Sequence, residues 1–305
     1  MTGTLPVDPK SPRAGHLLQQ GQERPDVSVL GVPAHATSIS PTQANTTPFA
    51  VRDALLRYST FAASAGVDLQ QLVVDDAGDI EQPDSDDGER RTSDAIARLH
   101  GSSPLSLVIG GDNSVTFAGV RGLAEANHRD WSNIGLITFD AHHDLRDGVS
   151  NGSPVQRLIE AGLRGSNVVQ IGIADFANSR DYANRARDYG ITVISREQLR
   201  TMSAKDAITA AAKQLGNREI YVDVDMDVCD RAVVPGCPAS VPGGLAADEL
   251  RQLVRVAAQL PNVRVMDFTE VDAAADAPDQ RTVRLLALCM LEAMTGFAMR
   301  KQIRR

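Results

Sequence analysis

The segment IGLITFDAHHD, residues 134–144, joins an apolar run to a cluster of acidic residues and histidines. Strands that are covered on both faces read as continuous β-branched and apolar runs, and such strands belong to parallel sheets with helical crossovers. In the extended segment after the run, a period of two places Asp140, His142 and Asp144 on one side and His143 on the other. The segment therefore predicts a strand of a parallel α/β sheet that ends in a polar site.

Similar apolar runs alternate with helical patterns along the rest of the chain. The predicted strands are residues 27–32, 71–74, 105–109, 134–139, 168–173, 191–194, 219–224 and 263–268, and the predicted helices are residues 49–59, 89–100, 154–163, 178–188, 203–215, 246–259 and 280–300. About eight strands with helix-length crossovers favour a doubly wound α/β sheet, and a TIM barrel with a similar number of elements is the alternative. Residues 1–25, rich in proline, glycine and polar groups, are predicted to form a flexible arm, and residues 26–305 a single domain.

The composition limits the classes of partner. The chain has 31 lysine and arginine residues against 39 aspartate and glutamate residues, and this net charge of −8 argues against nucleic acid or an anionic membrane. Three cysteines without a CxxC pair exclude a disulfide framework and a zinc ribbon. No apolar run approaches the roughly 18 residues of a membrane span and no signal-peptide pattern is present, so the chain is expected to be cytoplasmic.

A second strand, in EIYVDVDMDVCD (residues 219–230), repeats the arrangement of carboxylates. Asp223, Asp225 and Asp227 alternate with apolar residues, so an extended chain places all three on one face. Like charges this close raise one another's pKa, and a multivalent cation removes that penalty. Two such strand ends provide several oxygen ligands and one imidazole, a set that suits Mn²⁺ or a similar hard-to-borderline ion and exceeds the needs of one ion. The two strands therefore predict a centre with two metal ions.

Two further segments end beside this predicted centre. The run VRVMDFTE ends in Glu270, an acid that could bind a cationic group of a substrate next to the ions. In LSLVIGGDNSVTF (residues 105–117) a strand ends at a Gly-Gly turn, where open α/β sheets place their chemistry. Asn113 in that turn could cap the following helix, contact the substrate or occupy the position of a metal ligand.

In their order along the chain, these segments resemble the motifs of the arginase/agmatinase/formimidoylglutamase (ureohydrolase) superfamily. The segments that carry the resemblance are TTPFAVRDAL (46–55), DAGDI (76–80), IGGDNS (109–114), FDAHHD (139–144), DMDVCDRAVVPG (225–236), VPGGL (241–245) and FTEVD (268–272). The resemblance implies a three-layer α/β/α fold with a mostly parallel, eight-stranded sheet and two Mn²⁺ ions at the carboxyl ends of its strands. It also implies a homo-oligomer, either a trimer or a hexamer.

The resemblance also assigns roles to individual residues. The expected metal ligands are Asp140 and Asp225, which bridge both ions, Asp144 on the first ion, and His142 and Asp227 on the second. Glu270 matches the acid that holds the guanidinium or imino group of the substrate. Asp223 precedes the family's motif and is not expected to be a ligand.

Two positions depart from the family's pattern. Asn113 occupies the position of a histidine ligand of the first ion. Because an amide oxygen is a weaker ligand than an imidazole, the first site is expected to be weak, or empty without excess metal. Asn151 occupies the position of a histidine that shuttles protons in arginases. The loop around it, RDGVSNGSPVQRLIEAGL (146–163), is most similar to formimidoylglutamases.

The expected reaction is hydrolysis of a linear amidine, N-formimidoyl-L-glutamate, to L-glutamate and formamide. We expect water activated by two cations to attack the imino carbon, Glu270 to hold the protonated nitrogens and Asp144 to protonate the leaving amine. Arg146, with Arg157 as a second candidate, is expected to bind the substrate's carboxylates, and Asn151 to contact the substrate.

Two other functions are open at this point. One is hydrolysis of agmatine or of a guanidino acid, although the cationic tail of agmatine would be repelled by Arg146. The other is a metal-poor, non-catalytic subunit with a structural or regulatory role, which the absence of a histidine at Asn113 favours.

Overall fold

The computed structural model of the chain describes residues 8–303, and its centre is one sheet of nine strands. The strands of the chain are β1 (Leu18–Gln19), β2 (Val27–Val32), β3 (Phe61–Ala62), β4 (Val67–Asp68), β5 (Val74–Asp79), β6 (Leu105–Gly110), β7 (Ile134–Phe139), β8 (Val168–Ile173), β9 (Thr192–Ser195), β10 (Glu219–Asp225) and β11 (Val263–Thr269). The sheet order is β1-β5-β2-β6-β11-β10-β7-β8-β9, with every neighbouring pair parallel. Strands β3 and β4 form a separate antiparallel pair.

Helices cover both faces of this sheet. They are α1 (Thr47–Leu55), α2 (Asp86–Ser102), α3 (Val115–Ala126), α4 (Pro154–Ala161), α5 (Arg180–Asp188), α6 (Arg196–Leu199), α7 (Ala204–Leu215), α8 (Ala247–Gln259) and α9 (Arg281–Ile303). Successive strand residues such as Leu107 and Val108 belong to two different apolar cores, one shared with α1, α7, α8 and α9 and the other with α2 to α5. The three-layer α/β/α prediction is confirmed, and the open edges of the sheet exclude the TIM barrel.

The fully buried strands were the easiest to predict. Strands β2, β7 and β8 have the predicted bounds and are buried along their whole length. The prediction of a strand at 71–74 was wrong, because β5 begins only at Val74 and carries three acids. Two of them, Asp76 and Asp79, lie 2.8 and 2.7 Å from the guanidinium of Arg52 in α1. Strand β5 therefore lacks the apolar run by which a buried strand is recognised in a sequence, because its acids pair with a helix instead.

The edge strand β1 lies within the segment that was predicted to be a flexible arm. Leu18 and Gln19 pair with Val74 and Asp75 of β5, and Ala14 before them is fully buried. The sheet therefore begins at residue 18 rather than after residue 25, and it has nine strands rather than about eight. Residues 1–7 of the predicted arm lie outside the described residues.

Among the residues that the structure describes, one helix is long and apolar enough to cross a membrane when judged by length and composition alone. It is the segment Arg281–Arg300 of α9, and 83% of its most apolar window is buried inside the protein. Such burial is typical of a core helix, because a helix that is apolar all round needs protein on every side.

The four central strands end side by side at one edge of the sheet. They are β6, β11, β10 and β7, in that spatial order. Their carboxyl ends bring the segments 111–114, 270–272, 225–227 and 140–144 together. Ligands of open α/β sheets bind outside the carboxyl ends of the strands, so this edge is where a site is expected.

Candidate metal centre and active site

Five predicted ligands gather at this edge of the sheet. They form two overlapping groups, Asp140–His142–Asp227 and Asp140–Asp144–Asp225, in each of which the possible ligand atoms lie within 4.8 Å of one another. The four carboxylates are buried, and the His142 side chain is 28% exposed. The structure thus brings together all five carboxylate and imidazole ligands that the sequence predicted, with Asp140 shared by both groups. Asp225 belongs to one group only, so its expected bridging role stays a prediction.

Short-range hydrogen bonds fix the backbone of these two strand ends. The amide of His142 donates to Asp140 Oδ1 over 2.6 Å, and the amide of Asp227 donates to Asp225 Oδ1 over 2.8 Å. The amide of Ala141 donates to Asp227 Oδ1 over 3.0 Å and ties the two ends together. Asp140, Asp225 and Asp227 therefore each use one carboxylate oxygen to fix the backbone at a strand end, and this places their side chains close together.

The alternation predicted for Asp223, Asp225 and Asp227 ends at Asp225. Strand β10 stops there, and Met226–Val228 form a single 3₁₀ turn, so Asp227 leaves the face on which Asp223 lies. Asp223 stays in the sheet, fully buried and in register with Asp267 of β11, and belongs to neither metal-binding group. That Asp223 is not a ligand stays a prediction.

Burial and mutual repulsion shift the pKa values of the cluster. Burial, together with the neighbouring Asp227 and Asp140 carboxylates, raises the pKa of Asp225 well above its usual range. Burial and Asp140 do the same to the pKa of Asp144. Burial opposes protonation of His142, but the carboxylates of Asp227 and Asp140 raise the pKa of its imidazole to about 12. The cluster holds more negative charge than its one imidazole balances, and a multivalent cation can compensate that charge.

The donor set fits manganese. Carboxylate oxygens with one imidazole nitrogen are ligands that suit Mn²⁺, whereas the buried cysteines lie outside both groups. Asp140 Oδ2 is buried and has no hydrogen-bond partner among the described residues. Because a buried carboxylate oxygen without a partner is costly, a cation at this oxygen supplies the missing interaction.

Two residues of the site have a strained backbone. Asp144 has φ of 54° and Glu270 has φ of 63°, in the left-handed region that costs an L-residue about 1–3 kcal/mol. Both follow a central strand directly or within a few residues, and both are buried. Such strain persists only where the surroundings over-determine the conformation, and it concentrates at functional sites.

Glu270 is held from three directions. Its backbone amide donates to the carbonyl of Gly111 over 2.8 Å. Its Oε1 accepts the backbone amide of Asn113 and the side-chain Nδ2 of Asn151, each over 2.8 Å. Burial raises the pKa of Glu270 to about 8, although these two hydrogen bonds oppose the rise. The predicted substrate-gripping acid is therefore fixed in place, and Asn151 contacts it directly.

Asn113 faces the carboxylate cluster and does not cap the helix with its side chain. Helix α3 begins at Val115 with Ser114 at its N-cap, and no side-chain capping bond is made there. Asn113 Nδ2 donates to Asp144 Oδ2 over 2.6 Å. The cap interpretation is therefore wrong, and Asn113 lies beside the predicted ligand of the first ion.

The Gly110–Gly111 turn allows this approach. A Cβ on Gly111 would lie 1.9 Å from the carbonyl oxygen of Ala34, and one on Gly110 would lie 2.8 Å from Thr269 Cγ2. The amide of Asp112 donates to the same Ala34 carbonyl over 2.8 Å. Only glycine fits in both positions, so the turn packs closely and directs Asn113 toward the cluster.

A cavity of about 260 Å³ opens above the cluster. One side of the cavity is formed by four predicted ligands and the acid that follows β11: His142, Asp144, Asp225, Asp227 and Glu270. The residues that line the rest of it include Ile39, Arg146, Asn151, Asn178, Ser179 and Tyr182. The sequence indicated no role for Asn178 or Tyr182, because they come from a loop and a helix whose neighbours only the fold reveals. A second cavity, of about 550 Å³, lies between residues 33–45 and 82–85 and contains none of the predicted site residues.

The two arginines considered for the substrate's carboxylates differ in their surroundings. Arg146 lines the cavity, and its guanidinium makes no ion pair within the described part of the chain. Arg157 pairs with both oxygens of Glu89 at 2.7 and 2.9 Å and stacks on the ring of Phe117. The second candidate was therefore wrong, because Arg157 is occupied in a structural pair outside the cavity.

Comparison with known proteins relates most of the chain to one family. The model of the arginase family matches residues 25–296. The formimidoylglutamase of Bacillus subtilis is 32% identical over 287 residues, which cover 90% of this chain and 88% of that protein. The formimidoylglutamase of Halalkalibacterium halodurans is 34% identical over 303 residues, with coverage of 95% and 93%.

Solved structures agree with this relation. The crystal structure of the Bacillus subtilis formimidoylglutamase superposes with a TM-score of 0.90 at 30% identity and covers 98% of this chain and 96% of its own. A Trypanosoma cruzi formiminoglutamase crystallised with Mn²⁺ superposes with a TM-score of 0.87 at 24% identity, with coverage of 95% and 99%. At that identity the second likeness concerns the fold alone.

Proposed function

The chain belongs to the arginase family, and on that basis we propose that it hydrolyses N-formimidoyl-L-glutamate to L-glutamate and formamide. One observation of the site carries this choice of substrate. The cavity above the carboxylate cluster is lined by a buried acid, Glu270, and by Arg146, whose guanidinium makes no ion pair with the described residues. A substrate with a cationic imino group and two carboxylates is complementary to that combination.

The proposed cofactor is a pair of Mn²⁺ ions. Asp140, Asp144 and Asp225 would hold the first ion, and Asp140, His142 and Asp227 the second. When bound, the two ions supply Lewis-acid activation of a water molecule near neutral pH. Asn113, beside Asp144, would complete the first site with a weaker donor than histidine, so the first ion is expected to bind less tightly.

Glu270 would orient the reacting group. Its carboxylate holds the protonated formimidoyl nitrogen by a charge-assisted hydrogen bond and places the imino carbon over the metal centre. Asn151 and the amide of Asn113 fix Oε1 of Glu270, so the carboxylate plane cannot rotate away from this position. The strained φ of Glu270 serves the same purpose, because it aims the side chain back into the cavity.

Arg146 would bind the substrate's carboxylates. The loop fixes the backbone of Arg146, whose amide donates to the carbonyl of Gly152 over 3.0 Å. A Cβ on Gly152 would lie 2.8 Å from Arg146 Cδ, so the glycine leaves the room that the stem of the arginine occupies. The same loop supplies Asn151, which couples substrate binding by Arg146 to the placement of Glu270.

Asp144 would deliver a proton to the leaving nitrogen. Addition of water to the imino carbon forms the C–O bond, and the C–N bond to the glutamate nitrogen then breaks as that nitrogen takes up a proton. Asp144 is buried and lines the cavity beside the other predicted ligands. A carboxylate that would bind the first ion through one oxygen could use its other oxygen to pass a proton to the leaving nitrogen.

The relatives with competing hydrolase functions cover less of this chain than the two formimidoylglutamases do. The human mitochondrial guanidino acid hydrolase and the chicken mitochondrial agmatinase are each 27% identical and cover 85% and 83% of this chain. A guanidino acid would also satisfy Arg146, whereas the cationic tail of agmatine would be repelled by it.

A panel of amidines tests the proposed substrate. The purified chain is loaded with Mn²⁺ and given N-formimidoyl-L-glutamate, a guanidino acid and agmatine, and formamide and urea are measured separately. We expect formamide from the first substrate at a kcat/KM at least tenfold above that of the others. Urea release at an equal or greater kcat/KM would assign the chain to the guanidino-acid or agmatine hydrolases instead.

We also propose that the enzyme is a cytoplasmic homo-oligomer. Trimers and hexamers are the assemblies that the family resemblance implies, and light scattering coupled to size-exclusion chromatography distinguishes them from a monomer. The absence of a disulfide framework among the three free cysteines is consistent with a reducing compartment.

A further inference from the structure

The amide of Asn113 lies between two different sets of partners. On one side, Nδ2 donates to Asp144 Oδ2 over 2.6 Å. On the other side, Oδ1 accepts the hydroxyl of Thr116 over 2.7 Å and that of Thr269 over 3.1 Å. All four side chains are buried, so none of these groups can exchange its partner for bulk water.

This orientation cannot ligate an ion held by Asp144. The lone pair of an amide nitrogen is delocalised into the carbonyl, so only Oδ1 can coordinate a cation. Oδ1 points toward Thr116 and Thr269, on the side away from Asp144. Asn113 becomes a ligand of the first ion only if its amide turns by about 180° about the terminal torsion, which is a soft, roughly two-fold torsion.

We infer that Asn113 is a reversible ligand whose amide turns when the first ion binds, and that the hydroxyls of Thr116 and Thr269 make the turn possible. The inference rests on the proposed manganese centre and concerns how this chain compensates for the missing histidine. Thr116 and Thr269 are positioning residues, since neither belongs to a metal-binding group.

The hydrogen bonds of both orientations can be counted. A hydroxyl donates one proton and accepts others, so it serves an amide oxygen or an amide nitrogen equally well. After the turn, the two protons of Nδ2 go to Thr116 and Thr269. Thr116 then donates its own proton to Asp267 Oδ2, which lies 2.9 Å away and also accepts the hydroxyl of Tyr221 over 2.8 Å.

The two orientations depend unequally on Thr116. Without its hydroxyl, the orientation with Oδ1 toward Thr269 keeps one donor for that oxygen. The ligating orientation instead leaves one buried N–H of Asn113 without an acceptor. Removal of the hydroxyl therefore selects against coordination by Asn113, and the first ion binds more weakly while the second is unaffected.

Calorimetric titration of the metal-free full chain with Mn²⁺ tests this inference. The first-ion site is identified as the binding class that Asp144→Ala removes. We expect Thr116→Val, which keeps the shape of the side chain, to weaken that class about tenfold and leave the other class unchanged, as loss of a ligand-orienting partner does. Thr116→Ser keeps the hydroxyl and should restore wild-type affinity. Thr269→Val is a second variant with the same expected direction, should Thr116→Val fail to fold.

Tyr221→Phe is the matched control. It removes the hydroxyl that Tyr221 donates to Asp267, and this hydroxyl touches no atom of Asn113. It should leave the first-ion class within twofold of wild type. An unchanged first-ion class in both valine variants, or equal weakening in Tyr221→Phe, would overturn the inference while leaving the manganese centre intact. A wild-type chain that binds no Mn²⁺ would overturn the proposed function as well.

Discussion

Asn151 donates a hydrogen bond from Nδ2 to Oε1 of Glu270 over 2.8 Å. The same asparagine receives the amide of Ile39 at its Oδ1 over 3.0 Å, which fixes which end of the amide faces Glu270. Asn151 therefore contacts the acid that is proposed to hold the substrate, at the position where the family resemblance implies a histidine in arginases. A neutral donor at this position stabilises the charged form of Glu270 without adding a second titrating group.

The first prediction concerns the pH dependence of Asn151→Ala. Burial raises the pKa of Glu270 to about 8, and the hydrogen bond from Asn151 opposes that rise. Because Glu270 must be ionised to hold a protonated nitrogen, kcat/KM should increase with pH until Glu270 is ionised. In the Mn²⁺-loaded enzyme this increase should end below about pH 8, because bound cations lower the pKa of Glu270. Loss of Asn151 should move this ascending limb to higher pH. An ascending limb at the same pH in both proteins, measured at saturating Mn²⁺, would rule out this role.

The second prediction concerns substrate binding by Arg146. Arg146→Ala should lower kcat/KM for N-formimidoyl-L-glutamate by roughly 30-fold, about 2 kcal/mol, because hydrogen bonds to a charged group are lost. Arg157→Ala is the matched control, since it breaks the pair with Glu89 outside the cavity. That variant should unfold at a lower temperature but keep its KM. Equal effects of the two variants on KM would show that Arg146 does not contact the substrate.

The third prediction separates ligands from neighbouring acids. Asp225→Ala should abolish binding of the Mn²⁺ pair, because Asp225 belongs to a metal-binding group. Asp223→Asn should keep the pair, because Asp223 lies in neither metal-binding group and asparagine has nearly the same shape as aspartate. Metal content after dialysis distinguishes the two. Loss of manganese from Asp223→Asn alone would reverse the assignment of the motif.

The fourth prediction concerns the departure at Asn113. Asn113→His should bind the first ion about tenfold more tightly, since imidazole is the stronger donor, whereas Asn113→Ala should bind it more weakly. The affinity of the second site, which His142 and Asp227 would form, should be the same in both variants as in the wild type. Unchanged affinity for the first ion in both variants would show that Asn113 does not contribute to that site.

The sequence was sufficient for the elements that are simplest physically. Strand β7 was predicted with its observed bounds because burial on both faces leaves an uninterrupted apolar run. Strand β5 was misplaced because its acids pair with Arg52 of α1, and β1 was missed because two residues carry no periodicity. Where the hydrophobic periodicity of the sequence gives no signal, contacts between residues far apart in the chain determine the bounds of the strands.

The candidate site follows the same division. The five carboxylate and imidazole ligands were predicted because their motifs lie at two strand ends and the family resemblance selects Asp225 and Asp227 rather than Asp223. The partners of Asn113 were not predicted, since Thr116 lies in the first turn of α3 and only the sheet order brings Thr269, at the end of β11, next to Asn113. Arg157 was misjudged because nothing in its own helix, α4, indicates a partner at Glu89 in α2.

Identification of the product tests the central claim most directly. N-formimidoyl-L-glutamate labelled with ¹³C at the formimidoyl carbon is incubated with the Mn²⁺-loaded chain, and the products are followed by NMR. The account predicts that the label appears in formamide with release of an equal amount of L-glutamate, and that this turnover is lost in Asp225→Ala. Intact substrate after incubation with a chain that has bound two Mn²⁺ ions would contradict it.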